Sequence, residues 1–277
     1  MTTDLAVQWA KLPAEADPLY WARRLDIVRR FAKHQALTES ETEIPPSGLL
    51  GPSYRRPAPY IYAPDEIQAL MRAAAGLGPP GGLRPHTYQT LFGLLACTGL
   101  RISEALRLKQ SDVDIAAGRI RVVESKFRRS RWVPVHASTT RALAAYQNHR
   151  DRHLPHAADP HFFLTERGTS LKRYRTEMTF RVLREELGWS ARAVRPRIHD
   201  LRHSFAVRTL LRWYEEGAPI GNKIAYLSTY LGHVKVSDTY WYLSAAPELL
   251  MAAAGRFEAR LGRDRPGTGG SRDDQDG

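Results

Sequence analysis

Residues 98–108, Thr-Gly-Leu-Arg-Ile-Ser-Glu-Ala-Leu-Arg-Leu, mark the junction between two helical segments. The apolar segment at roughly 87–98 has the periodicity of a helix, and Gly99 suits the left-handed position that closes one. A short helix is predicted next, at 103–108. Arg101 is therefore expected between two helices, where the second one opens.

The sequence on either side predicts a mainly α fold with one small antiparallel β-sheet (α+β). Upstream, Pro64-Asp65-Glu66 opens a helix, with proline in the first turn and acids facing the positive end of the dipole. Downstream, a short strand precedes a turn at Ala117-Gly118, and strands at 120–124 and 131–135 flank a basic tip. Helical patterns follow at 142–149, 176–187, 201–216 and 224–230.

Three zones divide the chain. Residues 1–60 hold short amphipathic helices between Trp9 and Phe31, followed by a Pro/Gly-rich linker. Residues 61–261 hold most of the apolar mass. Residues 262–277 are rich in Gly, Asp and Arg and have little to bury, so we expect a disordered tail there.

The composition is that of a globular protein with a basic surface. Of the 277 residues, 43% are hydrophobic and 25% charged, and the formal net charge is +12. That surplus predicts a polyanionic partner, because Lys and Arg release counterions condensed on phosphates; a basic but otherwise ordinary enzyme is the alternative.

Cysteine content and apolar runs indicate the compartment. Cys97, the single cysteine, excludes an internal disulfide and is expected to be a buried, inert thiol. The sequence contains no run of about 18 apolar residues and no signal pattern at its start. We therefore expect a soluble, cytoplasmic protein without membrane association.

Five local motifs follow one another along the chain. They are residues 98–104, Lys126 between two strands, His-Asp-Leu-Arg-His at 199–203, Leu-Gly-His at 231–233 and Tyr-Trp-Tyr at 240–242. In this order they resemble the catalytic domain of the tyrosine recombinase (phage integrase) family, over roughly 60–250. The resemblance implies a site-specific recombinase or integrase of a bacterial mobile element. Such an enzyme cuts and rejoins DNA through a 3′-phosphotyrosyl intermediate, without metal, ATP or cofactor.

Two arginines match the family's phosphate clamp. Negative charge gathers on the non-bridging oxygens of an attacked phosphodiester, and preorganised guanidiniums stabilise it. By resemblance these are Arg101 and Arg202; for either residue alone, an ordinary ion pair is the alternative.

Three residues match positions that handle protons and phosphate oxygens. By resemblance, Lys126 at the hairpin tip is the general acid that protonates the leaving 5′ oxygen. His199 is a candidate proton acceptor and phosphate hydrogen-bond donor. His233 is implied to donate a hydrogen bond to a non-bridging oxygen.

Other residues have supporting roles by resemblance. Glu104 corresponds to an acidic position that orients a histidine or an arginine, and His203 is expected behind the residues that touch the phosphate. The remaining basic residues of the hairpin are expected to be DNA-facing or solvated charges: Arg128, Arg129 and Arg131.

Tyr242 lies nine positions after His233, where the family has its nucleophile. Phenoxide is a competent leaving group, so a phosphotyrosine bond keeps the energy needed for resealing. Tyr240 is the competing candidate. On a helix the two rings point in different directions, and we assign Tyr240 to hydrophobic packing.

The resemblance also implies partners: double-stranded DNA, a location on the nucleoid, and four protomers acting in pairs on two duplexes. A helix after Tyr242, with an apolar face at 247–251, is expected to dock into a neighbouring subunit; packing on its own core is the alternative. Residues 1–60 are expected to be a short DNA-binding region with a linker, in which the segment from Trp9 to Phe31 resembles only the back half of the family's N-terminal DNA-binding domain. A minimal recombinase, an earlier start and a truncated copy all remain open.

Three other functions compete. His199 and His203 have the i, i+4 spacing of a zinc helix, although Asp200 replaces the glutamate of that motif. A DNA-binding protein, or the remnant of a decayed element, would bind without strand exchange. A type IB topoisomerase would share the same chemistry.

Overall fold

The amphipathic pattern at the start of the chain forms two helices, α1 (Thr3–Lys11) and α2 (Pro18–Gln35). Asp17 caps α2 by accepting a hydrogen bond from the Leu19 amide at 2.7 Å. In this computed structural model, these helices belong to a unit that spans Met1–Ala58. The structure describes residues 1–54, 58–123, 130–233, 235–245 and 251.

A second unit, Pro59–Gly277, contains the remaining elements. Its helices are α3 (Pro64–Ala75), α4 (Leu83–Thr98), α5 (Ile102–Leu106), α6 (Ala137–His153), α7 (Arg173–Glu186), α8 (Ile198–Glu215), α9 (Ile220–Leu231) and α10 (Ser237–Ala245). None of the described helices is long and apolar enough to span a bilayer.

One small sheet interrupts the helices. Its antiparallel strands are β1 (Val113–Asp114), β2 (Arg119–Val122) and β3 (Arg131–Pro134), in that order. Ile120 pairs with Val133, and both are buried. The predicted mainly α fold with a small antiparallel sheet is thus confirmed. Residues 124–129, which include the predicted hairpin tip, lie outside the described residues.

Several helices extend beyond the apolar pattern that predicts them. Helix α4 begins at Leu83 rather than near 87, because Pro85 in its first turn costs little where the amides lack intrahelical acceptors. Helix α6 spans Ala137–His153 rather than 142–149. Its ends are polar, so they carry no apolar periodicity.

Helix α4 is the centre of the second unit and lies against α3, α6 and α8. Leu91 and Leu95 are buried on it. The helix ends where the sequence predicts, with Gly99 at φ +63° donating its amide to Leu95 O at 3.0 Å. A side chain at Gly99 would lie 2.6 Å from Phe205. This close approach brings Arg101 next to α8.

The prediction of a buried thiol is wrong, because Cys97 is exposed. At this point α4 lines a groove with α6 instead of facing the core, and the Cys97 Sγ lies 3.4 Å from Thr139 Oγ1. The groove walls nevertheless desolvate the thiol enough to raise its pKa.

Candidate active site

The C-terminal end of α9 gathers three arginine side chains on three successive backbone carbonyls. The hydrogen bonds are Arg131 Nε to Tyr230 O at 2.7 Å, Arg202 Nη2 to Leu231 O at 2.8 Å and Arg101 Nη2 to Gly232 O at 3.2 Å. The arginines come from β3, α8 and the residue preceding α5. One helix end therefore brings three distant segments of the chain together.

The cap of α9 explains why these carbonyls accept from side chains. Gly232 adopts φ +68°, and its amide donates to Thr229 O at 3.0 Å. The His233 amide donates to Ser228 O at 2.9 Å. These two hydrogen bonds satisfy the carbonyls of Ser228 and Thr229. The carbonyls of residues 230–232 accept hydrogen bonds from the arginines instead. The partial negative charge of a helix C-terminus favours cations there.

Arg202 is the most deeply buried of the three, with 2% of its surface exposed. Besides Leu231 O, it donates from Nη1 to Gly99 O at 2.7 Å, so it bridges the ends of α9 and α4. Burial, and next the charge of Arg101, lower its pKa to about 10. The guanidinium still carries its charge at neutral pH.

Arg101 and Glu104 form the second part of the cluster. The Arg101 amide donates to Glu104 Oε2 at 2.9 Å, and its Nη1 donates to Oε1 at 3.0 Å. The Arg101 side chain keeps 24% of its surface exposed, against 1% for Glu104. Burial raises the pKa of Glu104, but hydrogen bonds and charge from Arg131 and then Arg101 outweigh it and lower that pKa. The carboxylate is ionised, and Arg101 is the more exposed partner of the pair.

Arg131 is not the solvated surface charge that the sequence predicts. Its side chain is 12% exposed and pairs with Glu104, with Nη2 donating to Oε2 at 3.1 Å. Arg131 and Val133 are two positions apart on β3, so both side chains point to its inward face. A buried carboxylate opposite that face compensates the buried charge.

Tyr242 lies inside the cluster. It is 1% exposed on α10, and its hydroxyl is 3.1 Å from His203 Nδ1. Tyr240 is 48% exposed, so the two tyrosines face in different directions, as their spacing predicts, but the assignment of Tyr240 to hydrophobic packing is wrong. His203, expected behind the phosphate-contacting residues, instead contacts the phenol directly.

Two more histidines surround this pair. The His233 ring centroid lies 6.2 Å from that of Tyr242, and its Nδ1 is 2.7 Å from Thr239 Oγ1. The exposed His199 ring lies 4.7 Å from the His203 ring. The structure therefore brings together most of the predicted site residues: Arg101, Glu104, Arg131, His199, Arg202, His203, His233 and Tyr242. The others lie outside the described residues: Lys126, Arg128, Arg129 and the predicted docking face at 247–250.

Sequence reasoning missed two features of the cluster. Thr239 is fully buried against His233, and a small polar residue in the first turn of the tyrosine helix could have indicated it. The backbone carbonyls could not be found from residue types. Within the described part of the chain, no group of three His, Cys, Asp or Glu residues could hold a metal ion.

Comparisons with known proteins give one consistent result. A model of the phage integrase family matches residues 61–248. The protein named integrase/recombinase y4rB of Sinorhizobium fredii is 43% identical over 266 residues, covering 94% of this chain and 85% of that protein. Tyrosine recombinase XerD of Mycobacterium tuberculosis is 31% identical, covering 80% and 68%. Among solved structures, XerH site-specific recombinase bound to palindromic difH substrate has a similar fold, with a TM-score of 0.69 and 16% identity over 93% of this chain and 73% of that one.

Proposed function

The chain belongs to the phage integrase family, and from that premise we propose that it recombines DNA at specific sites with Tyr242 as the nucleophile. Tyr242 attacks a phosphodiester and remains joined to the 3′ phosphate until the strand is resealed. The family assignment supports DNA cleavage and rejoining. The assignment of individual residues rests on the geometry of the cluster.

One observation carries the proposal. The Tyr242 hydroxyl lies 3.1 Å from His203 Nδ1, and His203 is the neighbour of Arg202 on α8. One rigid helix thus supplies a partner for the phenol proton and a guanidinium for the phosphate. Groups fixed on rigid elements need little reorganisation during the reaction, which is how preorganised charge lowers a barrier.

Cleavage and resealing need no external energy source, because each step exchanges one phosphate ester bond for another. A bond forms between the Tyr242 oxygen and phosphorus, and the bond between phosphorus and the 5′ oxygen breaks. The phenol proton passes to His203, which contacts the hydroxyl, in place of His199, the acceptor that the family motif implies; the exposed His199 lies beside His203 and is left to donate a hydrogen bond to the phosphate. Lys126 supplies the proton that the leaving 5′ oxygen takes up. Resealing is the reverse reaction, so the phosphotyrosine bond conserves the energy.

The phosphate oxygens require cations and donors. Arg101 and Arg202 bind the non-bridging oxygens, because both belong to the cluster and Arg101 is open to solvent. His233 donates a further hydrogen bond from beside Tyr242. Removal of one such donor typically slows a reaction by ~10²–10³.

Binding and assembly extend beyond the cluster. The net charge of +12 supports contact with the DNA backbone, to which Arg128 and Arg129 contribute. Residues 1–60 form a short DNA-binding region. Exchange between two duplexes requires four protomers acting in pairs, on DNA of the nucleoid, with residues 247–251 as the docking segment.

A substrate nicked beside the cleavage site tests the proposal, because loss of the short product prevents resealing. We expect the full-length chain to form a covalent protein–DNA adduct, visible as a shifted band on a denaturing gel. Tyr242→Phe removes the nucleophilic oxygen and should abolish the adduct. The matched Tyr240→Phe, altered at an exposed ring, should form it at the wild-type rate.

Two outcomes would contradict the assignment. An adduct formed by Tyr242→Phe would mean that another residue is the nucleophile. A wild-type chain that binds the site without forming any adduct would favour the DNA-binding alternative. Running the same assay with a chelator separates the metal-dependent alternative, since an adduct that survives chelation needs no metal.

A further inference from the structure

Arg131 is the arginine of the cluster that the family motifs leave without a role in the reaction. Its Nη1 donates to Glu104 Oε1 at 3.2 Å and its Nη2 to Oε2 at 3.1 Å, while Nε donates to Tyr230 O at 2.7 Å. Arginine can form two parallel bonds to a carboxylate, whereas lysine is a point charge. Each nitrogen of this guanidinium is therefore engaged within the protein.

The carboxylate that Arg131 holds also holds Arg101. Glu104 Oε1 accepts from Arg101 Nη1 at 3.0 Å, and Oε2 accepts from the Arg101 amide at 2.9 Å. Each oxygen thus receives one bond from each arginine. With 1% of its side chain exposed, Glu104 has no solvent to replace a lost donor. A change at Arg131 is transmitted to Arg101 through this carboxylate.

Gly232 gives a second, independent connection. A Cβ built on Gly232 would lie 2.7 Å from Arg131 Nη1 and 2.9 Å from its Cζ, so the guanidinium packs against this glycine. The Gly232 carbonyl accepts from Arg101 Nη1 and Nη2 at 3.3 and 3.2 Å. Arg131 and Arg101 therefore hold the residue before His233 from two sides.

We propose that Arg131 is a positioning residue for strand cleavage, which fixes Glu104 and the Tyr230–Gly232 backbone and thereby sets where Arg101 and His233 meet the phosphate. The proposal rests on the proposed function. It differs from a DNA contact, which would act through affinity, because Arg131 is 12% exposed and its donors face Glu104 and Tyr230. Arg131 also opens β3, so it ties the strand that follows the Lys126 segment to the arginine cluster.

Single-turnover cleavage of the nicked substrate at saturating DNA separates positioning from binding. Arg131→Gln should cleave about 10- to 100-fold more slowly, as small misplacements of reacting groups do, with its Kd for the intact site unchanged. Arg131→Lys should be intermediate, because it keeps the charge but loses the fork. The matched control is Arg121→Gln, which breaks the pair between an arginine on the neighbouring strand β2 and the buried Asp112, and which should cleave at the wild-type rate.

The pH profile and a double variant test the route through Glu104. In Arg131→Gln the carboxylate loses two donors and protonates more readily, so the acid limb of the cleavage rate should move to higher pH. A merely structural role would leave that limb in place. If Arg131 acts through Glu104, then Arg131→Gln added to Glu104→Gln should slow cleavage by much less than it slows the wild type.

Three results would overturn the proposal: a wild-type rate for Arg131→Gln, a defect confined to Kd, or fully multiplicative effects in the double variant. Should Arg131→Gln melt below the assay temperature, a wild-type rate and pH profile from Arg131→Lys overturns the proposal equally, and a slowed rate with a shifted limb supports it. The comparison uses only chains that form the Tyr242 adduct. Absence of an adduct in the wild type would refute the proposed function instead.

Discussion

The surroundings of single side chains support the proposal that Tyr242, rather than Tyr240 two positions earlier, is the nucleophile. Tyr242 contacts His203, whereas Tyr240 is 48% exposed. The resemblance to the family's motifs implies Arg101, Arg202 and Tyr242, because the residues of each motif lie close together in the sequence. They do not predict Arg131, because an arginine on a short strand looks the same whether it faces water or a buried carboxylate.

Removal of the His203 imidazole should impair cleavage. We expect His203→Ala to slow single-turnover cleavage by about 10²–10⁴, the usual contribution of a positioned acid or base. His203→Asn offers an amide near the position of Nδ1 and should retain part of the rate. The control is His153→Ala, since His153 pairs with Glu166 in another part of the unit. Wild-type cleavage by His203→Ala would show that the 3.1 Å contact serves packing only.

Helix ends, rather than helix faces, build the cluster at the scale of elements. Apolar periodicity predicts that the helices exist, and Gly99 predicts one helix end. Periodicity could not predict that α4 begins at Leu83 or that α6 reaches His153, because their terminal turns are polar. It also could not predict which carbonyls accept arginines, since every residue has the same backbone oxygen.

Gly232→Ala tests whether the end of α9 holds the three arginines in place. A left-handed residue other than glycine costs about 1–2 kcal/mol, and here the added Cβ would also lie 2.7 Å from Arg131 Nη1. Gly188→Ala is the matched control, because Gly188 has φ +70° but its Cβ would meet open space among the described residues. Urea unfolding should show a larger loss for Gly232→Ala, and only that variant should lose cleavage. Equal losses of stability with wild-type cleavage would contradict the role of the glycine.

The stability of the whole catalytic unit should depend on the ionisation of Glu104. Its pKa in the folded protein lies below the ordinary 4.5. Its contribution is therefore fully present above about pH 4.5 and is lost as the pH falls through the folded value. We expect Glu104→Gln to lower the free energy of unfolding at pH 7 by on the order of 3 kcal/mol, because Arg101 and Arg131 lose the buried carboxylate that balances their charges.

Urea midpoints measured between pH 3.5 and 7 check this expectation. The wild type should lose stability at the acid end, and Glu104→Gln should have the flatter profile. Asp114→Asn is the control, since Asp114 also has a lowered pKa but keeps 31% of its side chain exposed, and ion pairs near the surface contribute little. Parallel profiles for wild type and Glu104→Gln would mean that other carboxylates control acid unfolding.

Fold class was accessible from sequence because it depends on the order of helical and strand patterns, which spans the whole molecule. The convergence of Arg101, Arg131 and Arg202 was not, because it depends on hydrogen bonds between residues that are 29 to 131 positions apart in the chain. The resemblance supplied two of these arginines. Only packing supplied the third.

The three accepting carbonyls of residues 230–232 belong to the main chain, and this makes the length of α9 matter more than its composition. Substitution at Tyr230 or Leu231 leaves the oxygen in place. An inserted residue before Gly232 would instead turn the acceptors by about 100° and advance them by about 1.5 Å along the axis. All three guanidiniums would then lose their carbonyl acceptors at the same time. At this point the enzyme therefore tolerates a substitution better than an insertion.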